Sequence, residues 1–260
     1  MRYTFALLLA ILVGLSLGLI GGGGSILAVP ILKYVVGVTA REAIAMSLFI
    51  VGIVSVVGLI PHWQQGNVNL PVAMTFIPPA MVGAFLGAKL SRLPFITDTI
   101  QMVCFGVVMA LASFFMIKKS NSQKTGNADK NPPLSEKPPT VVKKIVLTIF
   151  QGLGVGILTG FVGVGGGFLI IPSLVLIGGI PMKEAVGTSL LIIATNAFSG
   201  FLGYWGQVAL NWTIMISFSL AASCGIVFGA NLAKKIQAKS LQKAFGYFVL
   251  AVAIFVLIAR

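Results

Sequence analysis

The sequence predicts an all-α polytopic membrane protein built from two homologous four-helix halves, and three observations lead to this fold class. First, 57% of the residues are hydrophobic and only 9% are charged, with a mean hydropathy of +1.04. Second, apolar runs of about 20 residues, the length that crosses a hydrocarbon core roughly 30 Å thick, recur along the chain. Third, one block of sequence occurs twice. A single soluble core would not bury this much apolar surface.

The apolar runs predict eight long helices. They lie at about 4–20, 42–60, 71–88, 99–117, 145–162, 184–203, 212–232 and 241–258. Residues 118–144 between them are rich in Pro, Ser, Asn and Lys, and we expect a flexible hydrophilic linker there. The predicted domains are therefore a first transmembrane repeat at 1–117 and a second at 145–260.

The repeated block is residues 14–30, which returns 142 residues later as residues 156–172. The same offset holds without a gap over some seventy residues. It pairs Gly37 with Gly179, Glu42 with Glu184, Ser47 with Ser189, Gly58 with Gly200, Trp63 with Trp205 and Asn69 with Asn211. Duplicated halves are typical of secondary transporters, which bind substrate where the halves meet.

Glycine runs interrupt the first apolar segment of each half. Residues 5–36 are too long for one span and contain four consecutive glycines at 21–24, and the second half has a similar run at 163–167. Glycine costs about 1 kcal/mol in a helix interior relative to alanine. We therefore predict unwound backbone at these two glycine breaks, each followed by a short helix, at about 25–36 and 167–178.

Unwound backbone at membrane depth is tolerated only where protein buries it or where it lines a wet cavity, so both glycine breaks should face the protein centre. The start of each short helix would then present a positive dipole end and unpaired N–H groups, which bind anions without a charged side chain. The alternative is that glycines merely allow close helix packing. That alternative is favoured for the spaced pairs Gly14/Gly18, Gly83/Gly87, Gly156/Gly160 and Gly225/Gly229. Pro30 and Pro172 are expected to bend or end the short helices.

Few polar side chains lie within the apolar runs, so each is a candidate for function. The predicted substrate-binding residues combine these side chains with the glycine breaks: Gly22, Gly23, Gly24, Ser25, Ser47, Gly165, Gly166, Gly167, Thr188, Ser189 and Asn196. Thr195 is a further polar residue of the same segment. Neutral donors of this kind suit an oxyanion. The alternative for each hydroxyl is a hydrogen bond to the backbone of its own helix.

Charged residues occupy matching positions before two of the long helices: Arg41, Glu42, Lys183 and Glu184. Thr39 and Glu42 have the spacing of a capping box, and Pro181 suits a first helical position. The alternative is a gating or coupling role at the mouth of the cavity, where Arg41 and Lys183 would attract an anion.

The segment from His62 to Asn67 matches the segment from Tyr204 to Gln207. Trp and Tyr at such helix ends usually anchor the membrane interface. We interpret His62, the only histidine, as an interfacial loop residue, with a proton carrier as the alternative.

Several function classes are excluded. The net charge of +13 comes from Lys and Arg in loops, linker and helix ends, which does not provide the basic face of a nucleic-acid-binding protein. Cys104 and Cys224 are expected to be free thiols, and no spacing suggests a metal or cofactor site. The residue sets of intramembrane proteases are missing from the apolar runs, so no enzyme is predicted. The apolar start after Met1 resembles a secretory signal, but its recurrence at 145–172 favours a structural role.

The charge distribution bears on topology. If each glycine-broken segment is a re-entrant hairpin, the halves are inverted, and twelve Lys and Arg residues lie on the linker side against six on the other. The linker is then cytoplasmic. If each broken segment crosses once, the halves are parallel and the tally is nine against nine. We favour the inverted arrangement because it explains the asymmetry.

The glycine-rich run at 156–172 followed by residues 185–190 resembles the second-half signature of the sulfite exporter TauE/SafE family, and residues 21–30 resemble its opening motif. The resemblance covers nearly the whole chain except the linker. It implies a bacterial-type inner membrane transporter of small sulfur-containing anions, such as sulfite, thiosulfate or sulfonates including sulfoacetate, with export as the usual activity. Ala45-Met46 stands where the second half has Gly187-Thr188, which suggests an asymmetric site.

The working hypothesis is a secondary transporter that binds a small anion at the midplane between the glycine breaks, with proton coupling as one option. One half would move against the other. Its partners would be the anion and the lipid bilayer, with a homodimer as the default assembly. The competing hypotheses are an anion channel that uses the same helix ends and a membrane scaffold that transports nothing.

Overall fold

A computed structural model describes residues 2–22, 25–91, 93, 96–122, 141–162, 166–176, 179–233, 247, 250–256 and 258. The elements in chain order are α1 Arg2–Ile20, α2 Ser25–Pro30, α3 Ala40–Gln64, α4 Leu70–Leu90, α5 Asp98–Ser122, α6 Val141–Val162, α7 Gly167–Leu176, α8 Met182–Tyr204 and α9 Trp212–Ala233. A π-helical segment, Ile31–Val36, continues α2. Residues 250–256 are also helical. The all-α prediction is confirmed over this part of the chain.

Four of these helices, α3, α4, α8 and α9, are long and apolar enough to cross a membrane. Shorter apolar helices are Phe5–Leu19, Ser25–Val36, Thr99–Leu111 and Thr148–Val162. Helix α5 continues to Ser122 and α6 starts at Val141, so helical structure enters both ends of the predicted linker. The rest of that linker lies outside the described residues.

The directions of the central helices follow from their contacts. Leu48 near the start of α3 packs on Gly200 near the end of α8, whereas His62 at the end of α3 packs near Gly187 at the start of α8. Helices α3 and α8 are therefore antiparallel.

Other contacts fix the remaining directions. Gly14 and Gly18 of α1 face Ala222 and Ala230 of α9, so α1 and α9 are parallel. Helix α3 is parallel to α9 because Phe49 lies 5.8 Å from Trp212, ring to ring, and Gly58 faces Ile226. Helix α4 is parallel to α6 and α8 through the contacts Ala80–Gly156, Ala84–Gly160, Met81–Ser199 and Ala88–Gly203.

Two sets of parallel helices result. Helices α1, α3 and α9 run one way, and α4, α6 and α8 run the other way. Because α1 and α3 share a direction, the chain between them turns back through the first glycine break and α2, and the chain between α6 and α8 does the same through the second break and α7. Helices that lie 142 positions apart in the sequence, namely α1 and α6, α3 and α8, and α4 and α9, run in opposite directions.

The spaced glycines lie where these helices approach most closely. A Cβ added at Gly14 would come within 3 Å of the Ala222 backbone, and one at Gly160 would come within 3 Å of the Ala84 backbone. Close packing of small residues is therefore the role of these glycines. Two seams, α1 on α9 and α6 on α4, thus join the first half to the second.

The short helices end differently from each other. Pro30 ends the α-helical part of α2, and the π-helical turns after it stop at Gly37, whose φ of 87° places it in the left-handed region. Pro172 does not end α7, which runs on to Leu176. Proline has no backbone N–H, so Pro172 removes one intrahelical hydrogen bond from α7. Helix α7 packs against α8, which supports it despite this loss.

The capping box at the start of α3 is present. The Glu42 carboxylate accepts from the Thr39 N–H at 2.9 Å, and the Thr39 hydroxyl accepts from the Glu42 N–H at 3.4 Å. Thr39→Ala is expected to lower the free energy of unfolding by about 1 kcal/mol, because the Glu42 N–H in the first turn of α3 loses its acceptor, the Thr39 hydroxyl. Thermal unfolding in detergent measures the change. Thr75→Ala is the control, since the Thr75 hydroxyl donates to the Pro71 carbonyl of its own helix at 2.9 Å. An equal loss in both variants would contradict the capping role.

Candidate functional site

The two glycine breaks meet inside the protein. Gly22 and Gly167 are both buried, and a Cβ added to either one would come within 3 Å of the backbone of the other. This contact joins residues that are 145 positions apart in the chain. Gly23, Gly24 and Gly165 of the predicted site lie outside the described residues.

Both breaks use left-handed backbone next to this contact. Gly21 has a φ of 74° and Gly166 a φ of 84°, a conformation that residues with a Cβ rarely adopt. Val186 of α8 packs against Gly21, and Thr159 of α6 packs against Gly166. Ile193 of α8 packs against Gly167, so α8 lies along both breaks.

The start of α7 lies at the point of contact. Gly167 is its first residue, and the N–H groups of Leu169 and Ile170 both donate to the Gly166 carbonyl at 2.9 Å. A helix start carries a partial positive charge that favours a nearby anion. In this conformation Gly22 and Gly167 are too close for an anion to lie between them, so binding there requires the breaks to separate.

The predicted serine hydroxyls are all buried and all donate to backbone carbonyls. Ser25 donates to Gly22 at 2.7 Å, and Ser47 donates to Ile44 of its own helix at 2.8 Å. Ser189 donates to Val186 at 2.8 Å and also to Gly21 at 3.1 Å, across the two halves. In this conformation Ser25 and Ser189 stabilise the first break, and Ser47 bonds to its own helix.

Thr188 faces a different part of the molecule from Ser189, because successive residues point about 100° apart around a helix. Its hydroxyl accepts from the Asn69 N–H at 2.9 Å, in the loop before α4. The Asn69 amide also donates to the Glu184 carboxylate at 3.4 Å. Thr188 and Glu184 therefore attach this loop to α8.

The other predicted gating residues have separate locations. The Arg41 guanidinium donates to the Ile96 carbonyl at 2.8 Å, in the segment before α5. Glu42 belongs to the capping box, and Lys183 is exposed. Pro181 is the N-cap of α8 instead of its first helical residue as predicted. The structure thus does not gather these charges into one cluster.

Asn196 differs from the other predicted side chains because its amide has no hydrogen-bond partner within the described part of the chain. It is only 1% exposed, yet neither Nδ2 nor Oδ1 is bonded. Helical spacing places it on the same face of α8 as Ser189 and Ile193, the residues that contact the breaks. Leaving a buried polar group unpaired costs about 1–3 kcal/mol. The neighbouring Thr195 hydroxyl bonds to Leu191 and Ile192 of its own helix.

Sequence reasoning missed a polar cluster at the second break, formed by Gln101, Phe161 and Tyr204. The Gln101 amide donates to the carbonyl of Phe161, in the last turn of α6, at 3.2 Å and to the Tyr204 hydroxyl at 3.4 Å. The Tyr204 hydroxyl also donates to Phe161, at 3.4 Å. Gln101 is fully buried. Its position inside an apolar run is the same signal that identified Asn196.

Two predictions for the helix ends were wrong. Tyr204 was expected at the membrane interface but is 1% exposed, and His62 was expected in a loop but lies within α3 and is 5% exposed. Helix α3 continues through Pro61 to Gln64, which carries His62 into the packed region. The tryptophans Trp63 and Trp205 are about half exposed, and their place at the membrane interface stays a prediction.

An apolar groove of about 280 Å³ lies away from the breaks, between the segment 27–35 and residues 251–255. Leu27, Ile31, Val252 and Phe255 line it. It offers almost no polar surface and does not suit an anion. No cluster of three or more metal-ligating side chains occurs in the part of the chain that the structure describes.

Spanning helices in two opposed sets, with two interrupted segments that touch at the centre, define a polytopic α-helical membrane protein of the transporter class. The family model described as "Sulfite exporter TauE/SafE" matches residues 6–256. The chain belongs to this family and is a membrane transporter.

Curated relatives agree with this class. A "Probable membrane transporter protein" of Xylella fastidiosa strain Temecula1 is 36% identical over 249 residues, which cover 95% of this chain and 91% of the relative. YdhB of Bacillus subtilis is 26% identical over 238 residues, which cover 90% of this chain and 93% of YdhB. MJ0441 of Methanocaldococcus jannaschii is 27% identical over 259 residues, which cover 94% of this chain and 91% of MJ0441. Both carry the same designation of probable membrane transporter protein. No solved structure matches the chain.

Proposed function

We propose that the protein is a secondary carrier that exports small sulfur-containing anions, such as sulfite, thiosulfate or sulfoacetate, across the cell inner membrane. Membership of the sulfite exporter TauE/SafE family supports this substrate class. The linker side, which holds the larger share of Lys and Arg, would face the cytoplasm. A proton gradient is the proposed driving force.

The contact between Gly22 and Gly167 is the observation that carries the proposal. Each break lies in a segment that turns back inside the protein, and the helix that follows the second break starts at the contact. The side chains packed there, Val186, Thr159 and Ile193, are all uncharged. Because these described neighbours of the breaks are uncharged, the positive helix start and neutral donors would favour a small anion.

The seams between the halves limit which parts of the protein can move to open the substrate site to each side of the membrane in turn. Helices α1 and α9 approach backbone to backbone, and so do α6 and α4, so moving one half as a rigid body would break these close contacts. The breaks touch at Gly22 and Gly167, and the described residues of α2 and α7 make few contacts with each other. We therefore assign the motion to these interrupted segments, which separate to admit the anion from one side at a time.

Asn196 provides a direct test of anion binding. Asn196→Leu is expected to raise KM for the transported anion by roughly 10- to 100-fold, because one hydrogen bond to a charged group contributes about 1.5–3 kcal/mol. Its melting temperature should stay the same or rise, since a buried amide without partners is removed. Uptake into liposomes gives KM, and thermal unfolding gives the melting temperature.

Thr195→Val is the matched control, since the Thr195 hydroxyl already bonds to its own helix. It should leave KM unchanged. An unchanged KM in Asn196→Leu as well would remove Asn196 from the binding site.

A channel would use the same helix ends but would need a continuous pore. The contact between the breaks closes any path between Gly22 and Gly167 in this conformation. A planar-bilayer recording should therefore show no anion current above the flux measured in liposomes. A large sustained current would replace the carrier with a channel.

A further inference from the structure

We propose that the first half of the protein binds an anionic glycerophospholipid, with one acyl chain in the apolar groove between the segment 27–35 and residues 251–255 and with its phosphate at Lys33. The inference goes beyond the transport function and does not depend on which anion is carried. Three sets of observations support it: the shape and lining of the groove, the positive charge at one end of it, and the different residues at the matching positions of the second half.

The groove is a narrow apolar slot along one side of a short helical segment. Leu27, Ile31 and Tyr34 recur at helical spacing, so one face of α2 and of its π-helical continuation forms the first wall. Val252 and Phe255 belong to the opposite wall. At 1.5 Å per residue the lined segment is about 12 Å long, which is most of one leaflet of a hydrocarbon core roughly 30 Å thick. A volume of about 280 Å³ along this length suits a single hydrocarbon chain better than a bulky ligand.

The exposure of the walls indicates what fills the groove. Phe255 is 52% exposed and Tyr34 and Val35 are half-buried, so the groove opens to the outside of the protein. The chain is a membrane transporter, and the medium outside it at this depth is lipid. Walls with almost no polar surface offer water few hydrogen bonds. An acyl chain is therefore the occupant that the chemistry of the walls favours.

The positive charge lies at the end of the groove near Tyr34. The helical segment begins at the buried Ser25 and is followed by the exposed Gly37, so this end is nearer to the membrane surface than the end at Leu27. The Lys33 Nζ lies 5.3 Å from the centre of the Tyr34 ring, and that ring packs edge-on against Phe255 at 5.7 Å. The ammonium group is thus placed at the level of a lipid headgroup, as snorkelling lysines are.

The charge of Lys33 is complementary to a phosphate. Neither residues 1–41 nor residues 185–260, which supply the two walls, contain Asp or Glu. The first acidic residue after Lys33 is Glu42, which is bonded to Thr39 in the capping box. A lipid phosphate is the anion that a bilayer supplies at this depth, and one lysine near the surface favours an anionic over a zwitterionic lipid roughly fivefold.

The matching positions of the second half have a different character. Ile31 and Lys33 correspond to Ser173 and Val175, 142 positions later. The Ser173 hydroxyl donates to the Gln151 side-chain oxygen of α6 at 3.3 Å. A polar pair therefore occurs in the second half where the first half has an apolar wall, and an apolar residue stands in place of the cation. We expect the lipid site in the first half alone.

Quenching of tryptophan fluorescence by brominated lipids tests the headgroup preference. In the full-length protein, Phe255→Trp places a tryptophan at the groove, and the three native tryptophans are replaced by Phe: Trp63, Trp205 and Trp212. The protein is reconstituted in phosphatidylcholine vesicles that contain increasing fractions of one brominated lipid. We expect brominated phosphatidylglycerol to reach half-maximal quenching at a roughly fivefold lower mole fraction than brominated phosphatidylcholine.

A matched pair of lysine variants assigns the preference to Lys33. Lys33→Gln in this protein should remove the difference between the two lipids. Lys89→Gln is the control, because the Lys89 Nζ also lies over an aromatic ring, 4.6 Å from the centre of Phe85, but α4 does not line the groove. The control should keep the fivefold preference.

A second pair of variants tests whether the chain occupies the groove itself. Ala251 is exposed and lines the groove, so the ring added by Ala251→Phe would fill the slot from outside without entering the core. We expect this variant to lose the preference for phosphatidylglycerol. Ile254→Phe is the control, since Ile254 is 49% exposed on the same helix but does not line the groove, and it should leave the preference unchanged.

Three results would overturn the inference. The first is equal quenching by the two brominated lipids in the Phe255→Trp protein, which would indicate ordinary boundary lipid. The second is an unchanged preference in Lys33→Gln or in Ala251→Phe. The third is quenching by neither lipid, which would indicate that protein, such as a second copy of the chain, covers the groove. Because the measurement involves no transported anion, its outcome is independent of the proposed substrate class.

Discussion

Gly160→Ala is expected to prevent α6 from packing on α4 and to abolish folding into a stable membrane protein. A Cβ at this position would lie 2.7 Å from the Ala84 carbonyl carbon and 2.8 Å from its Cα. These are backbone atoms, so the added methyl cannot be accommodated by a rotamer change and must push the helices apart along their seam. Monodisperse yield on size-exclusion chromatography in detergent measures the loss.

Gly154→Ala is the matched control on the same helix. A Cβ at Gly154 would meet nothing within 4 Å, and alanine is the better helix former by about 1 kcal/mol. Its yield and melting temperature should equal or exceed those of the wild type. Gly18→Ala, at the equivalent seam of α1 with α9, should fail as Gly160→Ala does, since its Cβ would lie 2.7 Å from the Ala230 nitrogen. Normal yield of either seam variant would contradict the packing described here.

Gly22→Ala is expected to lower transport by at least about 100-fold while leaving a folded protein. The added Cβ would lie 2.6 Å from the Gly167 Cα, so the two breaks could not close against each other and the carrier could not return to this conformation during transport. A displacement of about 1 Å at a working site commonly costs about 100-fold in rate. The seams of α1 with α9 and of α6 with α4 do not include Gly22, so yield should be close to that of the wild type.

Gly52→Ala is the corresponding control, because Gly52 is also buried but a Cβ there would meet Ala197 and Phe198 at ordinary contact distances of 3.5–3.6 Å. Uptake by Gly52→Ala should match that of the wild type. Equal uptake by Gly22→Ala would show that close approach of the breaks is not needed for transport.

Much of the fold could be predicted because its determinants are local. Apolar runs set the long helices, and consecutive glycines set the breaks, since both act on the backbone where they occur. Helix α3 starts at Ala40 and α8 at Met182, in the register of the sequence offset. The capping box of Thr39 and Glu42 was also visible in the sequence because its partners are three residues apart.

The site was harder to predict because it depends on contacts between distant segments. Thr188 and Ser189 are neighbours in sequence, but the rotation of α8 sends one to the Asn69 loop and the other to Gly21. The burial of His62 and Tyr204 depends on how far the helix ends reach into the packed region. Pattern alone could mark Asn196 as polar at membrane depth, but whether its amide finds a partner is decided by every helix around it.

Uptake of radiolabelled sulfite, thiosulfate and sulfoacetate into liposomes, by the wild type, Gly52→Ala and Gly22→Ala side by side, tests the central claim most directly. The account predicts saturable uptake of at least one of these anions by the wild type and Gly52→Ala, and its loss in Gly22→Ala at equal protein content. Equal uptake by all three proteins, or no saturable uptake of any of these anions by the wild type, would contradict a sulfur-anion carrier that works through its two glycine breaks.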